Sequence, residues 1–296
     1  MTSGPEADFA RSCVPSITSG GRRSALLTDD GVRIEAAYEP CATPGAAPAH
    51  GLAVVLAHGF TGALERPAVR RAAAVFAQRA AVITFSFRGH GNSGGRSTVG
   101  DREVLDLAAA VRWARMLGHR DVATVGFSMG GSVVLRHAAL YRREHEGRIG
   151  AHTDMVAAVS APARWFYRGT PSMRRLHWVV TRPAGRLVGR VGLRTRIHAE
   201  EWDPVPLSPV AAVPLIAPTP LLVVHGDRDP YFPVDHPRML MAAADPSTSE
   251  LWLERGFGHA ENAAPAVLLS RIADWAAQHL PARPALEDEA RTTDPA

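Results

Sequence analysis

The chain has 296 residues, of which 46% are hydrophobic and 21% charged, a composition typical of a globular protein with a sizeable core. Its 33 basic residues, all arginine, exceed the 29 acidic residues and give a net charge of +4. No apolar run approaches the roughly 18 residues that a membrane-spanning helix needs, and the sequence contains no RNA- or DNA-reading motif. We therefore expect neither a transmembrane segment nor a nucleic-acid partner.

Both ends of the chain are predicted to be flexible tails. Residues 1–23 are polar and lack the apolar stretch of a secretory signal peptide, and residues 281–296 are rich in proline and acidic side chains. Cys13 and Cys41 lie in segments without core character, so we expect no structural disulfide and a cytoplasmic location. One domain is predicted at residues 24–280.

The domain is predicted to begin with a hairpin and to continue as alternating strands and helices. Two extended runs flank Asp29-Asp30-Gly31, a pattern typical of an antiparallel hairpin. Six further strands are predicted at 51–57, 81–85, 121–125, 155–159, 220–224 and 249–253, and helices at 67–79, 101–117, 132–140, 234–244 and 264–279. The pattern predicts the α/β class, with a mostly parallel eight-stranded sheet and helices on both faces.

The alternation stops at about residues 162–218, where several prolines predict an irregular insertion that forms a short lid. Residues 155–199 contain no Asp or Glu but nine arginines, at positions 164, 168, 174, 175, 182, 186, 190, 194 and 196. Such a surface is either a solvated basic face, whose arginine stems cover apolar area, or an attractor for an anionic substrate, a carrier protein or acidic lipid headgroups.

Four aromatic side chains lie in the first part of the predicted lid. They are Trp165, Phe166, Tyr167 and Trp178. The sequence allows two interpretations, since these rings could form the wall of an acyl pocket or the small core of the lid itself.

Gly126-Phe127-Ser128-Met129-Gly130-Gly131 lies between a predicted strand and a predicted helix. Gly-x-Ser-x-Gly in that setting is the signature of a nucleophile elbow, a turn so sharp that the serine backbone is strained. Glycine fits the flanking positions because side chains there would collide with neighbouring elements. The turn would expose the Ser128 hydroxyl at a helix N-terminus, where backbone N–H groups favour a developing negative charge. We predict that Ser128 is a catalytic nucleophile.

A serine hydroxyl needs a base to remove its proton and an acid to orient that base. In folds with this elbow, the acid and then the histidine follow the serine, on loops at the C-terminal ends of later strands. The loop after strand 220–224 contains Asp227 and Asp229, and the loop after strand 249–253 contains His259. We predict Asp229 as the acid, with Asp227 as the alternative, and His259 as the base.

An oxyanion needs two hydrogen-bond donors. The backbone N–H of Met129, directly after the serine, is predicted to supply one. The other is predicted to be the N–H of Phe60, since His58-Gly59 allows its backbone to approach the site. We expect the His58 side chain to order this loop rather than to act as a base. The sequence shows no metal-ligand cluster, and the chemistry expected of these residues requires neither a metal nor an organic cofactor.

Taken together, these motifs resemble those of the α/β-hydrolase fold family, close to its serine aminopeptidase-like and monoacylglycerol-lipase-like branch. The resemblance extends over about residues 24–280 and implies Ser128, Asp229 and His259 as nucleophile, acid and base, with Phe60 and Met129 as oxyanion donors. The matching motifs, in order, are His58-Gly59-Phe60, Arg88-Gly89-His90-Gly91-Asn92-Ser93, Gly126 to Gly131, His225-Gly226-x-x-Asp229 and Gly258-His259.

The chain departs from the family pattern two residues before Arg88, where the family often has Asp and this chain has Ser86. We interpret the Arg88–Ser93 run as a structural loop beside the site, with His90 in a packing or hydrogen-bonding role. Dehalogenases and epoxide hydrolases of the fold use Asp as nucleophile, so Ser128 counts against both activities.

The sequence therefore predicts a serine hydrolase that cleaves carboxylic esters through an acyl-enzyme. A thioesterase acting on CoA or carrier-protein thioesters is the alternative, and the arginine-rich lid is the feature that favours it. A ligand-binding member of the fold without catalytic activity is the alternative from another class. The expected partner is a small-molecule ester or thioester that carries negative charge if the arginines bind it, and the sequence leaves the oligomeric state open.

Overall fold

The computed structural model describes residues 21–42, 51–143 and 150–280. The predicted C-terminal tail and Cys13 lie outside these residues. Residues 1–20 of the predicted N-terminal tail also lie outside them, whereas Arg22 and Arg23 belong to the first strand.

A single eight-stranded sheet organises the domain. Its strands are β1 (Arg22–Leu27), β2 (Arg33–Glu39), β3 (Leu52–Ala57), β4 (Ala81–Phe85), β5 (Asp121–Phe127), β6 (Met155–Val159), β7 (Leu221–Gly226) and β8 (Ser249–Glu254). The spatial order is β1-β2-β4-β3-β5-β6-β7-β8. The predicted hairpin forms β1 and β2, β2 pairs antiparallel with β4, and all later neighbours are parallel. The predicted fold class is confirmed.

Nine helices accompany the sheet in the described part of the chain. They are α1 (Pro67–Phe76), α2 (Glu103–Met116), α3 (Met129–Leu140), α4 (Pro171–Thr181), α5 (Pro183–Val191), α6 (Pro209–Ala212), α7 (Asp235–Ala243), α8 (Ala260–Ala263) and α9 (Ala266–Gln278). A short 3-10 turn, Val213–Leu215, follows α6.

Two hydrophobic cores cover the two faces of the sheet. Successive residues of β3 point to opposite faces, so Val55 packs with α2 and α3, whereas Val54 packs with α1 and α9. All six residues of β3 are buried, as expected for a strand that is covered on both sides. The sheet edge at the C-terminal ends of β3 to β8 is therefore supported by packed layers on both faces.

The insertion between β6 and β7 is more regular than the sequence predicted. It contains α4, α5 and α6, and each of these begins with a proline: Pro171, Pro183 and Pro209. Proline is well suited to the first helical turn because its missing N–H would have no helical partner there. The prediction of an irregular segment was wrong for residues 171–191 and 209–215, where the prolines begin helices rather than interrupting them, whereas residues 162–170 and 192–208 are irregular.

Glu35 of β2 holds the loop after β4 through hydrogen bonds to Ser86 and Asn92. Ser86 Oγ donates to Glu35 Oε1 over 2.7 Å and accepts the N–H of Leu64 over 3.1 Å. The backbone N–H and the side-chain amide of Asn92 also donate to the Glu35 carboxylate, over 3.0 and 2.9 Å. The hairpin thus braces a loop that lies beside the end of β3.

Asp154 is a buried carboxylate at the N-terminal ends of β5 and β6. Its Oδ2 accepts the N–H of Val122 and an N–H of Arg115, both over 2.8 Å. Burial alone would raise the pKa of Asp154, but hydrogen bonds from His152, Val122 and Arg115 outweigh it and lower the pKa to about 2. The ionised carboxylate therefore stabilises the fold at the edge of the sheet remote from the strands' C-terminal ends.

We expect Asp154→Asn to destabilise the protein more at neutral pH than in acid. Asp154 has a lowered pKa when folded, so its contribution is present above the ordinary value of 3.8 and is lost as the pH falls through about 2. The shift corresponds to about 2.5 kcal/mol. Urea unfolding of both proteins at about pH 7 and about pH 2.5 measures this; an equal difference at both pH values would contradict it.

Candidate active site

Ser128 lies in the turn between β5 and α3, at the C-terminal edge of the sheet. Its backbone is in the left-handed region, with φ 53° and ψ −113°, which is unfavourable for a residue with a side chain. The Ser128 N–H donates to Val159 O over 2.9 Å, and Ser128 O accepts the N–H of Ser132 over 3.2 Å. These bonds hold the strained residue at the first turn of α3.

Two glycines make this turn possible. A Cβ on Gly126 would lie 2.2 Å from Gly130 O, and a Cβ on Gly130 would lie 2.1 Å from Ala57 O. Both distances are far shorter than a van der Waals contact. The atoms that would be struck belong to the backbone, so they cannot move aside as a flexible side chain could. Glycine at both positions is therefore required for α3 to start this close to the ends of β3 and β5.

The structure brings Ser128, His259 and Asp229 into one hydrogen-bonded chain. His259 Nε2 lies 2.9 Å from Ser128 Oγ, and His259 Nδ1 lies 2.7 Å from Asp229 Oδ2. An ionised carboxylate only accepts hydrogen bonds, so His259 Nδ1 carries the proton and Nε2 is left to accept one from Ser128. This arrangement can remove a proton from the serine hydroxyl.

Asp229 is held as an anion in a buried position. Burial would raise the pKa of Asp229, but the hydrogen bond and charge of His259, together with the N–H groups of Phe232 and Tyr231, outweigh it and lower the pKa. The two backbone N–H groups donate to Asp229 Oδ1 over 3.1 and 2.8 Å. Asp227, the alternative acid, is exposed and accepts the N–H of Gly256 over 2.6 Å instead.

The loop after β3 is held from within by a buried imidazole. His58 Nε2 accepts the N–H of Phe87 over 3.0 Å, so the proton is on Nδ1, which donates to Gly59 O over 2.7 Å. Burial lowers the pKa of His58 to about 3, so the ring is neutral. The Gly62 N–H also donates to Gly59 O, over 2.9 Å.

These bonds contribute to the direction of the Phe60 N–H. The carbonyl of Gly59 and the N–H of Phe60 belong to one planar peptide unit, so fixing the carbonyl fixes the N–H on the opposite side. Within the described parts of the chain, neither the Phe60 N–H nor the Met129 N–H donates to another protein group. Both amides are available to a bound molecule.

Two polar side chains at this edge were not singled out from the sequence. Ser160, after β6, accepts the N–H of Ala260 on its Oγ over 3.1 Å, and Glu261 accepts the N–H of Gly59 on Oε1 over 3.0 Å. Both therefore attach the segment that carries His259 to other loops. Glu261 lies two residues after His259, but it gives no local sequence signal because its partner is 202 positions away.

The four aromatic residues of the insertion do not form one cluster. Trp165 and Phe166 pack on Trp202, with ring centroids at 5.1 and 5.5 Å. Tyr167 instead packs edge-on against His236, at 4.5 Å. Trp178 lies on α4 with 47% of its surface exposed.

Tyr231 and Phe232, which follow Asp229, are aromatic side chains packed on His259. Their ring centroids lie 4.3 and 5.7 Å from that of His259. Their position directly after Asp229 in the chain was the signal that could have identified them.

The described residues contain neither a candidate metal site nor a helix that could span a membrane. No group of three or more His, Cys, Asp or Glu side chains in this part of the chain is placed to hold a metal ion. Among the helices described above, none combines the length and apolar character needed to cross a membrane.

Comparisons with known proteins agree on the fold. Residues 53–162 match the family model for the alpha/beta hydrolase fold. A monoacylglycerol lipase of Mycolicibacterium smegmatis is 27% identical over 254 residues, covering 77% of this chain and 88% of the relative. An esterase of Pyrococcus furiosus superposes with a TM-score of 0.64 at 20% identity, covering 87% of this chain and 92% of its own. A serine hydrolase without lid from Xanthomonas campestris superposes with a TM-score of 0.58 at 18% identity, covering 91% and 100%.

We expect His58 to remain neutral, with its proton on Nδ1, from about pH 8 to about pH 5, because its pKa is about 3. Long-range proton–nitrogen NMR of the imidazoles measures both properties, and the spectrum of His58→Gln identifies the resonances. A midpoint near neutrality, or a proton on Nε2, would contradict the hydrogen bonding that orients the loop after β3.

Proposed function

Because this chain has the α/β-hydrolase fold, we propose that it is a serine hydrolase that cleaves carboxylic esters through an acyl-enzyme. The observation that carries the proposal is the hydrogen-bonded chain from Ser128 Oγ through His259 to Asp229, with distances of 2.9 and 2.7 Å. These are the distances needed for a base to take the serine proton and for an acid to orient that base.

The proposed reaction has two halves. His259 Nε2 takes the proton of Ser128 Oγ as the oxygen attacks the ester carbonyl, and the N–H groups of Phe60 and Met129 stabilise the oxyanion. The imidazolium, stabilised by Asp229, gives its proton to the departing alcohol. Water then attacks the acyl-enzyme, with His259 as base again, and releases the acid and Ser128.

The names of similar proteins support an ester as the substrate. The Mycolicibacterium smegmatis relative is a monoacylglycerol lipase, and the Pyrococcus furiosus neighbour is an esterase. Both names denote hydrolysis of carboxylic esters.

We further propose that the insertion between β6 and β7 is a lid that shapes access to Ser128. Two contacts support this, because Thr170 Oγ1 donates to Tyr231 O over 2.9 Å and the Ala163 N–H donates to His236 Nδ1 over 2.9 Å. The start of the insertion is thereby attached to the loop and helix that follow Asp229. The substrate pocket is proposed to include the predicted aromatics Trp165, Phe166, Tyr167 and Trp178.

A fluorophosphonate probe is expected to label the wild type and not Ser128→Ala, because the probe phosphonylates an activated serine. Labelling is read by intact-protein mass spectrometry, with circular dichroism to show that both proteins are folded. A folded wild type that is not labelled would contradict the proposal and favour a ligand-binding protein without catalytic activity.

The two aspartates of the loop after β7 provide a matched comparison for the same assay. Asp229→Asn is expected to lower kcat for a p-nitrophenyl ester by about 10⁴-fold, since the amide would stabilise the wrong imidazole tautomer. Asp227→Asn is expected to stay within about twofold of wild type, because exposed surface sites tolerate such changes. Equal losses in both variants would contradict the assignment of the acid.

The arginines of the insertion favour a second candidate, a thioesterase acting on CoA or carrier-protein thioesters. Of the nine arginines between residues 155 and 199, Arg164 alone pairs with a carboxylate among the described residues, with Asp235 at 3.2 Å. Arg175, Arg182 and Arg190 are exposed on or beside α4 and α5. A surface of unpaired arginines attracts phosphorylated ligands such as CoA.

Butyryl-CoA and p-nitrophenyl butyrate, which share one acyl group, separate the two candidates. We expect the ester to have the higher kcat/KM, with little effect of salt or of Arg175→Gln, Arg182→Gln and Arg190→Gln combined. A higher kcat/KM for the thioester, reduced by these substitutions and by salt, would instead establish the thioesterase.

A further inference from the structure

Glu261 places a buried carboxylate against the loop after β3, beside Gly59. It lies in α8, two residues after His259, and only 4% of its surface is exposed. A Cβ built on Gly59 would lie 3.2 Å from each carboxylate oxygen of Glu261 and 3.4 Å from the Cβ of Ser128. The Glu261 carboxylate and the Ser128 side chain therefore both lie close to Gly59.

The environment of this carboxylate does not favour folding. In the described part of the chain, no Arg or His forms an ion pair with Glu261, and its Oε2 has no hydrogen-bond partner. Burial raises the pKa of Glu261, although the Gly59 N–H and the charge of His259 act in the opposite direction. A buried carboxylate without an ion-pair partner costs free energy, so stability alone gives no reason for glutamate at this position.

We propose that Glu261 is a positioning residue whose carboxylate joins the segment that carries His259 to the loop that carries the Phe60 N–H. The inference rests on the proposed function, because Phe60 matters only if an oxyanion forms beside Ser128. Through the Gly59 N–H, Glu261 holds Phe60 in the direction that stabilises the oxyanion.

The peptide units on either side of Gly59 explain why this contact is needed. The carbonyl of Gly59, in the peptide unit that leads to Phe60, is held by His58 Nδ1 and the Gly62 N–H. The N–H of Gly59, in the preceding unit, is held by Glu261 alone among the described residues. Glycine has no side chain to restrict its dihedral angles, so both units must be held if the Phe60 N–H is to keep one direction.

The segment that carries Glu261 is itself firmly held. Arg71 Nη2, on α1, donates to the backbone O of Glu261 over 2.6 Å and to Ala264 O over 3.2 Å. The Ala260 N–H donates to Ser160 Oγ over 3.1 Å. Glu261 therefore links the loop after β3, through hydrogen bonds, to a segment that is anchored to α1 and to the end of β6.

Three substitutions of Glu261 test the inference, because they separate the effect of the carboxylate charge from the effect of side-chain length. Glu261→Gln keeps an oxygen that can accept the Gly59 N–H, whereas Glu261→Asp keeps the charge but is one methylene shorter, and Glu261→Ala has neither group. We expect Glu261→Gln to keep kcat for a p-nitrophenyl ester within about fivefold of wild type. Glu261→Asp and Glu261→Ala are expected to lower kcat by about 10- to 100-fold, somewhat less than deletion of an oxyanion donor, with KM within about threefold of wild type.

Rates are expressed per active site, counted by fluorophosphonate titration, so that misfolded molecules do not contribute. The affinity of an aryl trifluoromethyl ketone, which forms a tetrahedral adduct with an active-site serine, is expected to fall in parallel with kcat. Asp154→Ala is the matched control, because Asp154 is also a buried carboxylate that accepts a backbone N–H, but at the opposite edge of the sheet. It is expected to lower Tm without changing kcat per active site.

Wild-type kcat in folded Glu261→Asp or Glu261→Ala would overturn the inference. A loss in Glu261→Gln as large as in Glu261→Ala would also overturn it, since the charge rather than the hydrogen bond would then matter. If Glu261→Ala does not fold, the comparison of Glu261→Gln with Glu261→Asp still tests whether the hydrogen bond to Gly59 sets kcat. A folded wild type that reacts with neither ester nor probe is a different result and contradicts the proposed function itself.

Discussion

The close approach of three backbone segments around Ser128 is the constraint on which the rest of the site depends. The start of α3 lies so near the ends of β3 and β5 that a methyl group on Gly126 or Gly130 would come within about 2.2 Å of a carbonyl oxygen. This contact places the strained Ser128 residue and the first N–H groups of α3 at the edge of the sheet. It is stable because the strands on either side are buried on both faces and cannot yield.

The parallel sheet then brings the remaining groups to the same edge. The loops after β3, β7 and β8 carry Phe60, Asp229 and His259, and they converge because they follow strands that point in one direction. The relative positions of these loops are set by side-chain bonds to backbone, not by the strands alone. Ser160 and Glu261 hold the segment after β8, while His58 holds the loop after β3.

Burial also sets the protonation of the groups around the site. It lowers the pKa values of His58, His90, His225 and His236, so these rings are neutral and act as fixed hydrogen-bond partners. Asp229 has a lowered pKa because hydrogen bonds outweigh its burial, and it is ionised. The Asp229 carboxylate beside His259 Nδ1 gives the imidazole one favoured tautomer, in which Nε2 can accept a hydrogen bond from the Ser128 hydroxyl.

Local patterns in the sequence predicted most of the sheet and the positions of the main site residues. Buried apolar runs predicted the strands, and the Gly-x-Ser-x-Gly turn together with the order Ser128, Asp229, His259 predicted which side chains would meet. The insertion was less predictable, since a proline such as Pro183 is compatible with either a helix start or an irregular segment. In the structure Pro183 begins the helix α5, in which Gly185 and Gly189 pack closely against neighbouring residues.

The sequence by itself determined the sheet, the elbow and the residue types at each strand end, because periodicity and glycine placement are local properties. It left Asp227 and Asp229 as alternatives, since both lie in one turn and differ only in what surrounds them. The tertiary structure alone decided that Asp229 faces His259 and that Glu261 contacts Gly59, 202 positions earlier in the chain. Such contacts depend on how separate loops pack at one edge of the sheet, and no local pattern records that packing.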